Sequence, residues 1–227
     1  MTSYKKINDK HNIYRIYGPK IIEIEGKMYQ RFMNFFYIPD YVYNLDEDYV
    51  ITLNDLRHSY KDIVIDYEYN TEVEKRIFDS ISKIIDHNKS LKVLDFGCGE
   101  RNVNSIIQPI FNSVKFYGVD IRDINTDYLI NYDEFKRITT NSVLPFEDNY
   151  FDIIIALFVF HFRITDIQIE SLYHTLKDDG VLCFNLIKSA DKNIINRLEN
   201  VGFKIKEKTI EQFKDKKKII EYYIMGK

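Results

Sequence analysis

The ten residues Leu91-Lys-Val-Leu-Asp-Phe-Gly-Cys-Gly-Glu100 decide the fold of this chain. An apolar run leads into Asp95, two glycines follow, and the next residues can start a helix, so a strand, a tight turn and a helix N-terminus are predicted. Gly97 and Gly99 let the backbone bend sharply and let a ligand approach it closely. The helix start offers N–H groups to an anion, and a carboxylate at the strand end can hold a cationic or hydroxyl-bearing group. A ligand with an amine, a carboxylate and a ribose would suit this geometry.

Two motifs in the chain resemble those of a known family. The first, Leu94-Asp-Phe-Gly-Cys-Gly99, resembles the first motif of the class I S-adenosylmethionine-dependent methyltransferases. A dinucleotide fingerprint would instead require a third glycine at position 102, which is Asn102. The second, Leu144-Pro-Phe-Glu-Asp-Asn-Tyr-Phe-Asp-Ile-Ile-Ile-Ala156, resembles the Leu-Pro-Phe-x-Asp-x-x-Phe-Asp stretch of the small-molecule methyltransferases called type 11. The resemblance covers roughly residues 70 to 227.

The order of these features predicts an α/β fold. A helix is expected from Thr71, because Thr71-Glu-Val-Glu74 reads as a capping box. The unbroken apolar run 153–157 is typical of a central parallel strand buried on both faces. A third strand is expected at 136–140, and a turn at Gly180 should lead into strand five. The resemblance implies a Rossmann-like, seven-stranded, mostly parallel sheet with a closing antiparallel strand pair.

Asp120 is the site residue that spacing supports best. It ends the second predicted strand about twenty residues after the glycines, where an α/β nucleotide site places an acid that accepts the ribose hydroxyls. The acid that often contacts adenine in the family is absent, so Thr140, Asn141 or Ser142 must take that role, and we favour Asn141. Arg101 stands where many members have a small residue. The resemblance implies S-adenosyl-L-methionine as cofactor, held by Asp95, Gly97, Cys98, Gly99, Asp120, Ile121, Asn141, Ser142, Leu157 and Phe158.

Three further residues are candidates for contact with the methyl acceptor. His161 lies just past strand four and is the candidate general base, since imidazole titrates near neutral pH. The alternative is that His161 orders its loop by hydrogen bonding. Tyr67 and Tyr69 precede the capped helix, where chains of this family often close over the cofactor, and we assign them to substrate binding. Ordinary packing is the alternative for both tyrosines.

Residues 1–70 do not resemble the rest of the chain. They are rich in Tyr and Phe, show little helical periodicity, and read as β structure with a hairpin turning at Gly26 and a strand-like stretch at 49–53. We therefore divide the chain into an N-terminal extension, 1–70, and a methyltransferase domain, 71–227. The extension is either an aromatic cap over the substrate pocket or a segment that packs on the core or makes a dimer contact.

Composition limits the classes of partner. The net charge of −3 gives no overall attraction toward nucleic acid or acidic membrane. Cys98 and Cys183 form neither a Cys-x-x-Cys pair nor a metal spacing, so no metal is expected and a reduced, cytoplasmic compartment is predicted. The polar N-terminus is not a signal peptide, and the longest apolar run is too short to span a membrane. A homodimer is left open.

The favoured function is an S-adenosylmethionine-dependent methyltransferase that transfers a methyl group to an oxygen or nitrogen of a small molecule, in specialised metabolism. It rests on the Leu-Pro-Phe motif, the acidic charge balance and the aromatic extension. Two alternatives stay open: a protein or RNA methyltransferase, and a non-catalytic cofactor-binding scaffold. The sequence does not predict the identity of the acceptor.

Overall fold

The computed structural model describes residues 5–15, 21–32, 36–39, 48, 51–52, 56, 67–85, 89–99, 111, 113–130, 132–160, 164–187, 193–212 and 219–227. The chain divides into two compact units, Met1–Val64 and Ile65–Lys227.

The N-terminal unit contains a five-stranded antiparallel sheet. Its strands are paired in the order β1-β2-β5-β4-β3. The strands are β1 (Lys5–Asn8), β2 (Ile13–Arg15), β3 (Ile21–Ile24), β4 (Lys27–Phe32) and β5 (Phe36–Pro39). The predicted β character of this extension is confirmed.

Local residue preferences shape this small sheet. Glu25 and Gly26 both have positive φ, 51° and 75°, which is the backbone of a two-residue hairpin turn and confirms the turn predicted at Gly26. Tyr14 and Tyr29 are buried and pack edge to face, with ring centroids 5.0 Å apart. The prediction of a strand at 49–53 is wrong for the two residues of this stretch that the structure describes, because residues 51 and 52 have helical backbone. Aromatic and β-branched content alone does not exclude a helical turn.

The larger unit is built on a seven-stranded sheet. Its strand order is β11-β12-β10-β9-β6-β7-β8, parallel except where β12 pairs with β10 and β11. The strands are β6 (Leu91–Phe96), β7 (Val114–Asp120), β8 (Glu134–Arg137), β9 (Phe151–Ala156), β10 (Leu176–Ile187), β11 (Lys204–Gln212) and β12 (Ile219–Gly226). The predicted fold class, a Rossmann-like sheet with a closing antiparallel pair, is confirmed.

Four helices lie in the described part of this unit. They are α1 (Tyr67–Ile84), α2 (Thr126–Leu129), α3 (Asp166–Thr175) and α4 (Ile194–Val201). The helix predicted to begin at Thr71 begins four residues earlier, so the assignment of Thr71 as N-cap is wrong. Residues 61–70 contain no proline or glycine that would stop the helix before Thr71, and a capping-box pattern marks a start only where the upstream chain leaves the helix. The helix expected after the glycine turn lies outside the described residues.

The central strands bury both of their faces, as their sequences require. Ile154 and Leu182 point into one core, whereas Ile153, Ile155 and Cys183 point into the core on the opposite face. All five residues are at most 1% exposed. Full burial of an isoleucine or leucine side chain stabilises the fold by about 1.5–3 kcal/mol, so this apolar run fixes β9 in the middle of the sheet.

The structure differs from prediction at two sheet positions. The third strand, β8, spans Glu134–Arg137 rather than 136–140; it is an edge strand with only partly buried residues, so its apolar pattern is weak. The turn expected at Gly180 is an irregularity within β10, where the register shifts between Leu176 and Val181. A Cβ at Gly180 would lie 3.0 Å from the Asp152 carbonyl oxygen, which explains why glycine is needed there.

Candidate active site

The glycine turn lies at the carboxyl edge of the sheet, where β6 ends beside β7. The two strands are parallel neighbours, with Phe96 opposite Val119. The backbone N–H groups of Gly97 and Cys98 both donate to the Val119 carbonyl, at 2.8 and 3.1 Å. The turn is therefore held to the end of β7 by its own backbone. Ligands of open α/β sheets bind at this edge.

Asp120, the last residue of β7, connects the end of β7 to the glycine turn that follows β6. Its carboxylate accepts one hydrogen bond from the N–H of Gly99 at 2.8 Å and another from the N–H of Arg122 at 2.9 Å. A Cβ at Gly99 would meet none of the atoms that the structure describes within 4 Å, so this part of the chain leaves the turn open on that side. An acceptor group therefore stands beside an open glycine turn.

A second carboxylate, Asp95, lies beneath the glycine turn. Asp95 is fully buried, and its Oδ2 accepts a hydrogen bond from the hydroxyl of Tyr132 at 3.0 Å. The Tyr132 ring packs against Gly118, where a Cβ would come within 3.0 Å of the ring and 3.3 Å of the Cys98 Sγ. Gly118 is opposite Asp95 in the register of the two strands. A residue with no side chain in β7 thus lets Tyr132 reach across to the carboxylate of β6.

The segment predicted to contact adenine forms a tight turn after β8. The Ser142 hydroxyl accepts from the N–H of Thr139 at 2.8 Å and donates to the Thr139 carbonyl at 2.9 Å. The Thr139 and Thr140 carbonyls also accept from side chains of Gln168 and Thr165. Ser142 is thus engaged within the turn, while Asn141 is exposed. Of the three candidates, Asn141 is exposed, whereas Thr140 and Ser142 are half-buried.

The end of β9 has an unusual backbone. Phe158 has φ = 59°, a left-handed conformation that is rare for a residue with a side chain. Its N–H donates to the Oδ1 of Asn185 in β10 at 2.8 Å. The next residue, Val159, packs on the glycine turn so closely that a Cβ at Gly97 would lie 2.5 Å from its Cγ2. The β9 end and the glycine turn are therefore in direct contact.

The predicted cofactor residues fall into four groups at the carboxyl ends of β6, β7, β8 and β9. Asp95 lies in β6 and the glycine turn follows it, Asp120 ends β7 and Ile121 follows it, Asn141 and Ser142 come after β8, and Leu157 and Phe158 come after β9. The Ile121 carbonyl accepts from the Arg137 Nε at 3.3 Å. The Cys98 side chain is buried in the core, and Leu157 is 1% exposed, so a ligand would meet their backbone rather than their side chains. His161 and Arg101 lie outside the described residues, as do the side chains of Tyr67 and Tyr69, whose backbone belongs to α1.

Sequence reasoning missed three residues of this edge: Tyr132, Val159 and Asn185. A signal existed for Asn185, because it is a lone amide in the apolar run Val181–Ile187. No local pattern marked Tyr132 or Val159. Their roles depend on glycines in other elements, Gly118 and Gly97, that leave room for their side chains.

Other chemistries find little support in the described residues. Burial raises the pKa of the Cys183 thiol well above its usual range, so this group is not a thiolate nucleophile. No group of three or more His, Cys, Asp or Glu side chains there could hold a metal ion. Nor does that part of the chain contain a helix long and apolar enough to cross a membrane.

Comparison with known proteins agrees with this geometry. A family model described as "Methyltransferase domain" matches residues 69–220. The chain is 26% identical over 141 residues to the malonyl-[acyl-carrier protein] O-methyltransferase of Calditerrivibrio nitroreducens, covering 60% of this chain and 56% of that protein. It is 30% identical over 135 residues to the ribosomal protein L11 methyltransferase of Staphylococcus haemolyticus, covering 56% of this chain and 41% of that protein. The chain therefore spans about half the length, or less, of these curated relatives.

A solved structure shares the fold at low sequence identity. The TehB-like SAM-dependent methyltransferase of Corynebacterium glutamicum superposes with a TM-score of 0.53 and 17% identity, covering 80% of this chain and 97% of that one. Because the identity is low, this match supports the fold alone. The family match covers more than half of the chain and includes both motifs from which the family was predicted. The chain belongs to the methyltransferase domain family, and the prediction of a class I S-adenosylmethionine-dependent methyltransferase is confirmed.

Proposed function

We propose that the chain is an S-adenosylmethionine-dependent methyltransferase that transfers a methyl group to an oxygen or nitrogen of a small molecule. One observation carries the proposal: the Asp120 carboxylate accepts from the Gly99 N–H at 2.8 Å, and no atom that the structure describes lies within 4 Å of the position of a Gly99 Cβ. This contact joins a hydroxyl acceptor and a glycine turn, the two parts that a nucleoside amino-acid ligand requires, at the ligand-binding edge of the sheet.

The residues at this edge fit such a cofactor. Asp120 would accept from the ribose hydroxyls, Asn141 would pair with the adenine edge, and Gly97 and Gly99 would let the amino-acid end approach the backbone. Ile121 and Phe158 are half-buried and would supply apolar contact around the adenosine. The cofactor supplies a methyl group that positive sulfur already activates. The task of the chain is then chiefly to align the acceptor atom with that methyl group and to exclude water.

The remaining roles concern the acceptor. We assign His161 as the base that takes a proton from an oxygen or nitrogen nucleophile, because it follows β9 two positions beyond Val159. Tyr67 and Tyr69 are assigned to the acceptor pocket, and the aromatic N-terminal unit to a cap over it. A cytoplasmic location and action as a homodimer or with a partner protein belong to the same proposal.

A second candidate acceptor is a group carried on a protein. The names of the two curated relatives specify malonyl-acyl carrier protein and ribosomal protein L11 as what those enzymes act on. The negative net charge of this chain argues against a large polyanionic acceptor such as RNA. An acyl chain on a carrier protein would need a narrow entrance rather than a wide groove, so it is compatible with an aromatic cap.

The test is an assay for S-adenosylhomocysteine formed from S-adenosylmethionine. Purified protein is incubated with a panel of small phenols, amines and carboxylic acids and, in parallel, with malonyl-loaded acyl carrier protein and with ribosomal protein L11. Turnover on small molecules alone supports the favoured acceptor class, and turnover on a loaded carrier or a protein replaces it with the second. If His161→Gln loses that turnover while its affinity for S-adenosylhomocysteine is unchanged, the assignment of His161 as the base is supported. Full turnover of His161→Gln would contradict that assignment.

A further inference from the structure

Asn185 is the one amide in an otherwise apolar stretch of the central strand β10. The strand reads Val181-Leu-Cys-Phe-Asn-Leu-Ile187, and Asn185 is fully buried. Its Oδ1 accepts from the N–H of Phe158 at 2.8 Å. Its Nδ2 has no hydrogen-bond partner among the residues that the structure describes. The oxygen of this amide is thus hydrogen-bonded, whereas its buried NH2 group has no acceptor among the described residues.

Fold stability alone does not account for an asparagine at this place. A buried donor that lacks a partner loses its hydration and gains nothing in return. Asparagine is also disfavoured within strands, whereas a leucine of similar size would extend the apolar run. A residue that lowers stability in a central strand points to a requirement of function, since strained and costly features collect at functional sites.

The hydrogen bond to Asn185 stabilises an unfavourable backbone conformation at Phe158. Phe158 has φ = 59°, which places its Cβ close to its own backbone and is unfavourable for any residue except glycine or asparagine. On either side, Leu157 and Phe160 are buried, and the Phe160 ring packs against Phe184 at 4.8 Å. Phe158 and Val159 between them are partly exposed. Val159 packs against the core on one face of the sheet and Phe158 against the core on the other, so the left-handed residue marks the point where the chain changes face.

The turn formed by residues 157–160 packs directly against the glycine turn. Val159 occupies the space where Gly97 would carry a Cβ. A shift of the 157–160 turn would therefore move Val159 relative to Gly97, and with it one wall of the proposed cofactor site. Among the described residues, Asn185 is linked to this wall by the hydrogen bond from the Phe158 N–H, and its own side chain is fully buried.

We propose that Asn185 is a positioning residue of the cofactor site: its amide oxygen fixes the left-handed turn at Phe158 and so seats Val159 against Gly97. The inference rests on the proposed function and adds a residue of β10 to a site otherwise built from the ends of β6, β7, β8 and β9. Asn185 does not touch the cofactor. Its effect on cofactor affinity should therefore follow its oxygen and not its size or its contribution to folding.

The test compares S-adenosylhomocysteine affinity with thermal stability in the full chain. Asn185→Leu removes the uncompensated nitrogen but also withdraws the acceptor of the Phe158 N–H, so the two effects on stability oppose each other; we expect affinity to fall at least tenfold while Tm falls by no more than that of Thr175→Val. Asn185→Asp keeps an acceptor oxygen in the same place and should bind within about threefold of wild type at pH 6, where a buried carboxyl is readily protonated. Thr175→Val is the control, because it removes a buried hydroxyl at the last residue of α3, directly before the first residue of β10, and should leave affinity unchanged.

The outcomes separate the two proposals. If wild type does not bind S-adenosylhomocysteine, the proposed function fails, whatever the variants do. If wild type binds and Asn185→Leu binds equally well, the positioning role fails while the cofactor site stands. A fall in Tm of Asn185→Leu far beyond that of Thr175→Val also overturns the positioning role, since it would make Asn185 a residue of the fold. Loss of affinity with a fall in Tm no larger than that of Thr175→Val, recovered by Asn185→Asp, supports it.

Discussion

The hydroxyl of Tyr132 donates a 3.0 Å hydrogen bond to the fully buried carboxylate of Asp95. The two residues come from different elements, and the absence of a side chain at Gly118 makes the contact geometrically possible. A buried carboxylate needs donors to replace the water it has lost. Tyr132 therefore fixes the orientation of the acid that precedes the glycine turn. A residue outside the Leu94–Gly99 motif thus holds the carboxylate of that motif in place.

Replacing Tyr132 by phenylalanine should destabilise the fold. The change removes only the hydroxyl, and a hydrogen bond to a charged group contributes about 1.5–3 kcal/mol. The free energy of unfolding, measured by urea denaturation, should fall by about 2 kcal/mol. Tyr117→Phe is the matched control, because the Tyr117 hydroxyl pairs at 2.9 Å with the neutral hydroxyl of Tyr150 and should cost only about 1 kcal/mol. A loss at Tyr132 no larger than that at Tyr117 would contradict the account of Asp95.

Alanine at Gly97 should cost more stability than alanine at Gly99. Both glycines have positive φ, 71° and 53°, so both substitutions carry a backbone cost of about 1–2 kcal/mol. Only at Gly97 does the new Cβ meet Val159, and overpacking adds roughly 1–3 kcal/mol. Urea midpoints of the two variants measure the difference directly. Equal losses would show that Val159 gives way freely and that the 157–160 turn is not seated on the glycine turn.

A pH-dependent contribution to stability is expected from the closing strand pair. Hydrogen bonds from Tyr223 and Lys208 hold the pKa of Glu221 below its ordinary value of 4.5. A carboxyl with a lowered folded-state pKa stabilises the fold above its unfolded-state pKa, and this contribution is lost as pH falls through the folded-state pKa. Glu221→Gln should therefore be less stable than wild type by about 0.5 kcal/mol at pH 7, the scale of a largely exposed pair.

The difference between Glu221→Gln and wild type should shrink as the pH is lowered below about 4.5 and vanish once the wild-type carboxyl is protonated. Chemical denaturation at pH 7, 5 and 3.5 follows it. Glu170→Gln, an exposed position on α3, serves as the control and should differ from wild type by less at pH 7. A difference that stays constant from pH 7 to 3.5 would rule out the Glu221 carboxylate as its source.

The sequence predicted the sheet well because its decisive signals are local. The apolar run of β9 can only be buried on both faces, and the Leu94–Gly99 motif specifies a strand, a turn and a helix start within a few residues. The weaker elements were misplaced for a physical reason. At Thr71 a local start signal was overridden because nothing upstream ended the helix, and at β8 the exposed edge gave too little apolar pattern to set the bounds.

The supporting residues of the site could not be predicted in the same way. Tyr132 serves a carboxylate 37 positions earlier in the chain, and Asn185 serves a backbone N–H 27 positions earlier. Both contacts arise only when neighbouring strands are in register. A lone amide in an apolar strand indicates that some buried group needs it, but only the folded chain identifies Phe158 as that group.

Calorimetric titration of wild type and Asp120→Ala with S-adenosylhomocysteine tests the central claim most directly. The account predicts one micromolar site in wild type and at least tenfold weaker binding in the variant, a loss of about 1.4 kcal/mol or more, because a charge-assisted contact to the ribose disappears. Asp123→Ala, which removes an exposed carboxylate paired with Arg137, should bind like wild type. Absence of binding by folded wild type, or equal affinity in wild type and Asp120→Ala, would contradict the assignment of this edge as the cofactor site.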